Sequence, residues 1–248
     1  MERPRLRIAW LYPEYTSRYG DRGNIIVLVQ RARWRGLEPE VVQVGLGQRA
    51  DFHQFDLVHF GGGQDRELEI VAEDFLKVKG SSLGEAIREG LPVLAVCGGF
   101  QMLGSHFRTP EGETLRCSGI LDLWTESSDQ RMTGNVIIES DLWGKPRTVV
   151  GFENHSGRTY LGRGLKPLGR VLRGHGNNSR DRMEGVVFKN CVGTYLHGPV
   201  LPKNPHLADW LLMRAVQRRY GDQVPFPPVN DELEERAHRA ILQRFGPH

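Results

Sequence analysis

Leu91-Pro92-Val93-Leu94-Ala95-Val96-Cys97-Gly98-Gly99-Phe100-Gln101-Met102-Leu103-Gly104 runs from an unbroken apolar stretch, through one cysteine, into a glycine pair and a second apolar segment. The first part reads as a short strand buried on both faces. The two glycines let the chain turn through conformations that a Cβ would forbid. The second part reads as a helix whose free N–H groups and positive dipole end point back at the sulfur, which favours thiolate over thiol. Strand, sharp turn and helix with a reactive side chain at the corner form a nucleophile elbow, here with cysteine in the place of serine. A small buried hydrophobe is the competing reading of any free cysteine.

Outward from this elbow, strands and helices alternate. Arg7–Tyr12 reads as a first strand, and Asn24 as the cap of a helix through Arg35 that Gly36 stops. Val41–Val44 and Phe55–Phe60 are further strands, the latter ending in Gly61-Gly62-Gly63. Ser81 or Ser82 is expected to cap a helix through Glu89. This alternation predicts an α/β fold, a mostly parallel sheet with helices on both faces. Beyond it, Asn135–Glu139, Thr148–Phe152 and Glu184–Phe188 are short strands between Gly, Pro and Asn turns, expected as antiparallel additions to the same sheet. Val192–Leu196 leads to His197-Gly198-Pro199, and a helix follows from Pro205 to about Arg219. The domain is expected to span residues 1–220. Residues 221–248 then form a proline-rich linker and a last helix, capped by Asn230 or Asp231, with Leu233, Ala237, Ala240, Ile241 and Phe245 on its packing face.

Composition excludes several classes. The chain of 248 residues carries a net charge of +3 from arginines scattered along it, with no aromatic-and-basic motif for nucleic acid. Its three cysteines form neither a CxxC pair nor a regular framework, so no metal site or disulfide scaffold is expected, and free thiols fit a cytoplasmic setting. No signal peptide or membrane-spanning run is visible, the densest apolar stretch being Ile25–Val29.

A thiolate nucleophile needs a proton carrier. A thiol of pKa about 8.5 must be lowered by roughly two units to be mostly ionised at neutral pH, and a helix end supplies only part of that. An imidazole completes the shift and delivers a proton to the leaving group. Of nine histidines, His197 is best placed, at the end of an apolar run that would open onto the same crevice as Cys97. His155, in Glu153-Asn154-His155-Ser156-Gly157, is its rival; His59 lies inside a strand pattern and reads as a satisfied core residue. Acyl chemistry also needs backbone N–H groups for an oxyanion. Gly98 is one donor, and the glycine triplet at the neighbouring strand end can offer the second.

The runs Phe60-Gly61-Gly62-Gly63-Gln64-Asp65, Cys97–Gly104 and Tyr195-Leu196-His197-Gly198 resemble class I, triad-type glutamine amidotransferases of the cobyric-acid-synthase-like branch. Tyr19–Asn24, Gly151–Tyr160 and Gly193–Pro199 narrow the resemblance to the glutaminase subunits of lipid II isoglutaminyl synthases. The resemblance implies a flavodoxin-like fold. It also implies that Cys97 attacks the glutamine amide, that Gly98 and Gly62 or Gly63 hold the oxyanion, and that His197 protonates ammonia and then activates water. Gln101, Asn154, His155, Ser156 and Gly157 would contact glutamine, and Arg131 would pair with its α-carboxylate. It implies no cofactor in this chain. ATP and magnesium would sit on a Mur-ligase-like partner in a heterodimer, which acts on membrane-bound lipid II at the inner face of the membrane.

One position departs from the family. Triad amidotransferases carry Glu two residues after the histidine, where this chain has Pro199. The resemblance implies that the ligase partner supplies the missing carboxylate; Glu153 and Asp181 are the alternatives within the chain.

Overall fold

The computed structural model describes residues 3–17, 20–63, 65–109 and 112–246, with Asp65 and Arg66 in backbone only. Tyr19 and Gln64 of the motifs quoted above, and both chain ends, lie outside the described residues.

The chain opens with β1 (Arg5–Leu11), α1 (Arg22–Trp34), β2 (Glu38–Val44) and β3 (Leu57–Phe60). A helical stretch follows, made of α2 (Asp65–Asp74), a π-turn (Phe75–Lys79) and α3 (Gly80–Arg88), and leads to β4 (Val93–Val96) and the short α4 (Gly98–Met102). Eight short strands come next. They are β5 (His106–Arg108), β6 (Thr114–Arg116), β7 (Leu123–Glu126), β8 (Met132–Ser140), β9 (Arg147–His155), β10 (Arg158–Leu161), β11 (Gly169–Arg173) and β12 (Met183–Glu184). The chain closes with β13 (Val186–Phe188), β14 (Cys191–Thr194), α5 (Pro205–Tyr220) and α6 (Glu232–Phe245).

The central sheet has the order β13-β14-β4-β3-β1-β2, parallel throughout except for β13. Every residue of β3, β4 and β14 is buried, as expected of parallel strands covered on both faces. The chain leaves β1 toward β2 and then returns to the other side of β1, so the order reverses between β1 and β3. Right-handed crossovers then put α1 and the α2–α3 stretch on opposite faces, and the crevice opens at the carboxyl ends of the strands beside that reversal.

Several expectations are corrected. Of Glu184–Phe188, only Val186–Phe188 (β13) joins the central sheet, and Glu184 ends β12. Asn135–Glu139 and Thr148–Phe152 belong to a separate antiparallel sheet of order β12-β11-β8-β9, and β10-β7-β5-β6 form a third. Central strands β4 and β14 already flank each other, which leaves room for one antiparallel edge strand. Ser81 and Ser82 cap nothing, because the backbone is helical from Asp65 through the π-turn; Ser82 Oγ instead accepts a hydrogen bond from Phe52 N–H. The π-turn buries Lys79 against Asp74, which also accepts from the Tyr12 hydroxyl at 2.7 Å.

The last helix is held by charge. Arg31 of α1, 1% exposed, donates to Asp209 of α5 at 2.7 Å and to both carboxylate oxygens of Asp231, at the start of α6. Arg35 pairs with Asp209 at 2.6 Å and lies over the Phe226 ring of the linker. Of the expected packing face, Ile241 and Phe245 are half-buried, whereas Leu233, Ala237 and Ala240 are exposed. Among the described residues no helix is long and apolar enough to cross a membrane.

Candidate active site

Four loops that follow parallel strands meet at one point. Asp21 comes after β1, Gly61–Gly63 after β3, Cys97 after β4 and His197 after β14. Cys97 itself carries the strain of the elbow, with φ 50° and ψ −108° in a region that non-glycine residues rarely occupy. The flanking glycines serve close approach instead of unusual torsion. A Cβ on Gly99 would lie 2.4 Å from Phe60 O, and one on Gly98 would lie 2.4 Å from a Leu68 methyl carbon. The elbow is fixed at its rim by Cys97 N–H donating to Thr194 O at 2.8 Å. The helix behind it has only five residues, so its dipole is weaker than the sequence suggests.

His197 reaches the same place from the neighbouring strand. Its backbone exchanges two hydrogen bonds with Phe152 of β9, at 2.8 and 3.2 Å, which ties the second sheet to the site. Cys97 and His197 close around Gly62: a Cβ there would sit 2.9 Å from Cys97 Cβ and 3.2 Å from His197 Cε1. Burial, with help from nearby Arg131, pushes the His197 pKa down to about 4, so the ring is neutral and able to accept a proton. The other two cysteines differ in kind. Cys117 and Cys191 are buried, and burial pushes both thiols up to about 12.

His155, the rival base, is a wall. Its ring lies against that of Tyr195, its Nδ1 is 2.8 Å from Gly157 O, and burial pushes it down to about 3. Gln101 is 5% exposed and donates to the Tyr195 hydroxyl at 3.0 Å, with Gly157 packed directly on its amide. Arg131 is exposed. Its guanidinium donates to Asn154 Oδ1 at 2.6 Å and to Asn154 O at 3.3 Å, and its charge is felt by both His155 and His197. Ser156 accepts from Arg158 through its backbone oxygen. Gln101, His155 and Gly157 are therefore packed together around Tyr195, and exposed Arg131 is held by Asn154, the residue before His155.

Two expectations change here. Gly62 N–H, expected as a possible oxyanion donor, donates to Asp21 Oδ2 at 2.8 Å. Neither acid suggested in the chain serves His197: Glu153 accepts from His175 and Gly176, and Asp181 is bound to Asn178 and Met183.

A carboxylate that sequence reasoning missed lies beside His197. Asp21 is fully buried, and its Oδ1 lies 3.9 Å from His197 Nδ1. It occupies the cap position of α1, three residues before the expected Asn24, yet makes no capping bond with its side chain. Asn24 instead accepts from Leu201 N–H at 3.0 Å. Burial pushes Asp21 up to about 6, opposed by the Gly62 bond. The contact that brings it there involves Pro199, whose ring would meet a Cβ on Gly23 at 2.3 Å. A glycine on each side of Asp21, at positions 20 and 23, was the available signal. Among the described residues no cluster of His, Cys, Asp or Glu is arranged to hold a metal.

A family model described as the CobB/CobQ-like glutamine amidotransferase domain matches residues 7–205. The chain is 45% identical over 228 residues to the lipid II isoglutaminyl synthase (glutamine-hydrolyzing) subunit GatD of Staphylococcus aureus, covering 91% of this chain and 90% of the relative. It is 38% identical to the protein of the same name from Streptococcus pneumoniae, over 93% of this chain and 88% of that one. The solved structure of PurLQS from Thermotoga maritima shares the fold, at a TM-score of 0.56 and 15% identity over 88% of this chain and 97% of the other. A cysteine elbow closed by a histidine around a glycine strand end, matched over four-fifths of the sequence, places the chain in the CobB/CobQ-like glutamine amidotransferase family.

Proposed function

We propose that this chain is the glutaminase subunit of a lipid II isoglutaminyl synthase, hydrolysing L-glutamine and passing ammonia to a ligase subunit. The observation that carries the chemistry is the meeting of Cys97 and His197 around Gly62. His197 takes the thiol proton, and the Cys97 thiolate adds to the side-chain amide carbon of glutamine. The oxyanion faces Gly63 and Gly98 N–H. Protonated His197 delivers its proton to the departing ammonia, leaving a γ-glutamyl thioester. Neutral His197 then takes a proton from water, hydroxide adds to the thioester, and glutamate leaves as the thiol is restored.

Arg131, held by Asn154, pairs with the α-carboxylate of glutamine, since a planar guanidinium matches a carboxylate through two parallel bonds. Gln101 and the 154–157 segment shape the floor. The partner is a Mur-ligase-like subunit in a cytoplasmic heterodimer, and ATP and magnesium belong to it. It would activate the α-carboxylate of D-glutamate in lipid II and accept the ammonia, giving D-isoglutamine. The near-full-length match to relatives named as subunits supports this over a self-contained cofactor amidase.

Glutamate release from glutamine, measured with the ligase subunit present, is expected to vanish in Cys97→Ser. Amidation of lipid II with glutamine as donor should vanish with it, while free ammonium restores amidation. Glutamine-dependent amidation that survives Cys97→Ser would overturn the assignment.

A further inference from the structure

A row of fully buried hydroxyls runs from the end of β14 into the small sheet that holds β7 and β10. Tyr195, just past β14, Thr159 of β10 and Thr125 of β7 are each 0% exposed, and the two threonines are register partners in the β10–β7 pairing. Tyr195 Oη lies 2.6 Å from Thr159 Oγ1, which lies 2.8 Å from Thr125 Oγ1. Gln101 joins at the other end, its amide nitrogen 3.0 Å from Tyr195 Oη. Its backbone N–H bonds to Cys97 O at 3.0 Å, so it sits one helical turn from the nucleophile. Gly157 closes over the row. A Cβ there would lie 2.5 Å from the Gln101 amide nitrogen, 2.8 Å from Thr125 Cγ2 and 3.1 Å from Tyr195 Oη.

The row has a direction. Burial pushes the Tyr195 phenol well above its ordinary value, with the charge of Cys97 adding to the effect, so Oη keeps its proton and has one to give. A phenol is a stronger acid than an aliphatic alcohol, and 2.6 Å is an O–H···O distance, so Tyr195 donates to Thr159. Its oxygen is then left as an acceptor, and the Gln101 NH2 fills it at a length usual for N–H···O. The Gln101 carbonyl oxygen is thereby turned away from Tyr195. We propose that Tyr195, with Thr159 behind it, is a specificity-determining positioning residue that presents the Gln101 carbonyl oxygen, and not its NH2, to the α-ammonium of the bound amino acid. This rests on the glutaminase reading above. On that reading the carboxamide belongs to Cys97 and the backbone N–H donors, and the α-carboxylate to Arg131. The ammonium is the group that remains, and it can only donate. A reversed amide would set N–H groups against a cation and weaken the hold on any amino acid there.

The test is ligand binding by titration calorimetry to the full chain with its ligase subunit, in a Cys97→Ser background that does not turn over. The ligands are L-glutamine and glutaramate, the same molecule without its ammonium. Tyr195→Phe keeps the ring against His155 and removes the hydroxyl. It is expected to weaken glutamine by about tenfold or more and glutaramate by less than about threefold. Thr159→Val leaves Tyr195 in place but takes away the acceptor of its proton, so the phenol donates to the Gln101 carbonyl and turns the amide. Glutamine should again weaken with glutaramate spared, and this variant gives the reading if Tyr195→Phe does not fold. Equal loss of both ligands would overturn the proposal, because Tyr195 would then only support the shape of the site. Unchanged glutamine binding would overturn it too. With Cys97 restored, Tyr195→Phe should raise KM for glutamine and leave kcat within a few-fold. A wild-type complex that releases no Cys97-dependent glutamate, while its Cys97→Ser form binds glutamine with this preference, would sink the glutaminase reading and leave the Tyr195 assignment standing.

Discussion

His155 lies flat on Tyr195, with ring centroids 3.6 Å apart and planes within 3° of parallel. The pair forms the back wall of the site, where Tyr195 also binds Gln101 and Thr159 through its hydroxyl. A ring stacked in this way and held neutral by burial does not trade protons in the working range. His155→Phe, which keeps the stack, is expected to cost less than about tenfold in kcat, whereas His197→Ala should cost about 10²–10⁴-fold, the usual contribution of a general acid–base. Steady-state glutamate release from the two variants separates the roles.

Arg131 is exposed, is held by Asn154, and on the proposed reading pairs with the α-carboxylate, away from the reacting amide. Its contribution is made equally in the ground state and the transition state, so Arg131→Lys should raise KM for glutamine by about tenfold or more and leave kcat within a few-fold. Lysine offers a point charge where Asn154 and a carboxylate ask for a planar fork. A fall in kcat at unchanged KM would count against this assignment.

Gly62→Ala is expected to abolish turnover. The added methyl would meet Cys97 Cβ at 2.9 Å and His197 Cε1 at 3.2 Å, so the two catalytic side chains must part. A displacement of about 1 Å costs about 100-fold. The variant should retain its circular dichroism spectrum and lose Cys97-dependent glutamate release.

Glu184 supports the strand end from below, accepting from Tyr195 N–H at 2.7 Å and meeting the Thr194 hydroxyl at 3.0 Å. Burial pushes it up to about 8. A folded state that holds this proton while the unfolded chain has lost it becomes less stable as pH rises, from the ordinary carboxylate range up to about 8. Glu184→Gln carries its own N–H donor and does not titrate. Its Tm should therefore fall less than the wild-type Tm between pH 5 and 8 (about several degrees less), as read by thermal scans.

Arg31 holds α6 to the domain. Arg31→Met leaves Asp209 and Asp231 without their shared cation, a loss near the low end of about 3–5 kcal/mol because both carboxylates are about a quarter exposed. The linker at 221–231 should then be cut by a broad-specificity protease well before the remainder of the chain. Equal cleavage rates in the two proteins would show that other contacts suffice.

The elbow, the glycine triplet and His197 were legible because each is a local pattern, an apolar run ending in glycine or a reactive residue. The parallel sheet followed from those runs. The place of Asp21 beside His197 was not legible, because it depends on where α1 begins and on what lies across the crevice, and in sequence Asp21 is one polar residue in a polar loop. The small sheets escaped for a related reason. Short alternating strands carry no mark of which sheet they join, and that choice was made by the space left beside β14. The exposed stripe on α6 shows the opposite error, where helical periodicity was right and the force holding the helix was an arginine on α1.

The contact between Gly23 and Pro199 has a mechanical meaning. A proline ring is set against the first turn of α1, with His197 two residues before that proline, so a side chain at position 23 would displace the segment that carries the imidazole. α1 is therefore a lever with its short arm at the catalytic base. Its outer surface carries Ile26 and Trp34, both about half exposed, at 57% and 51%.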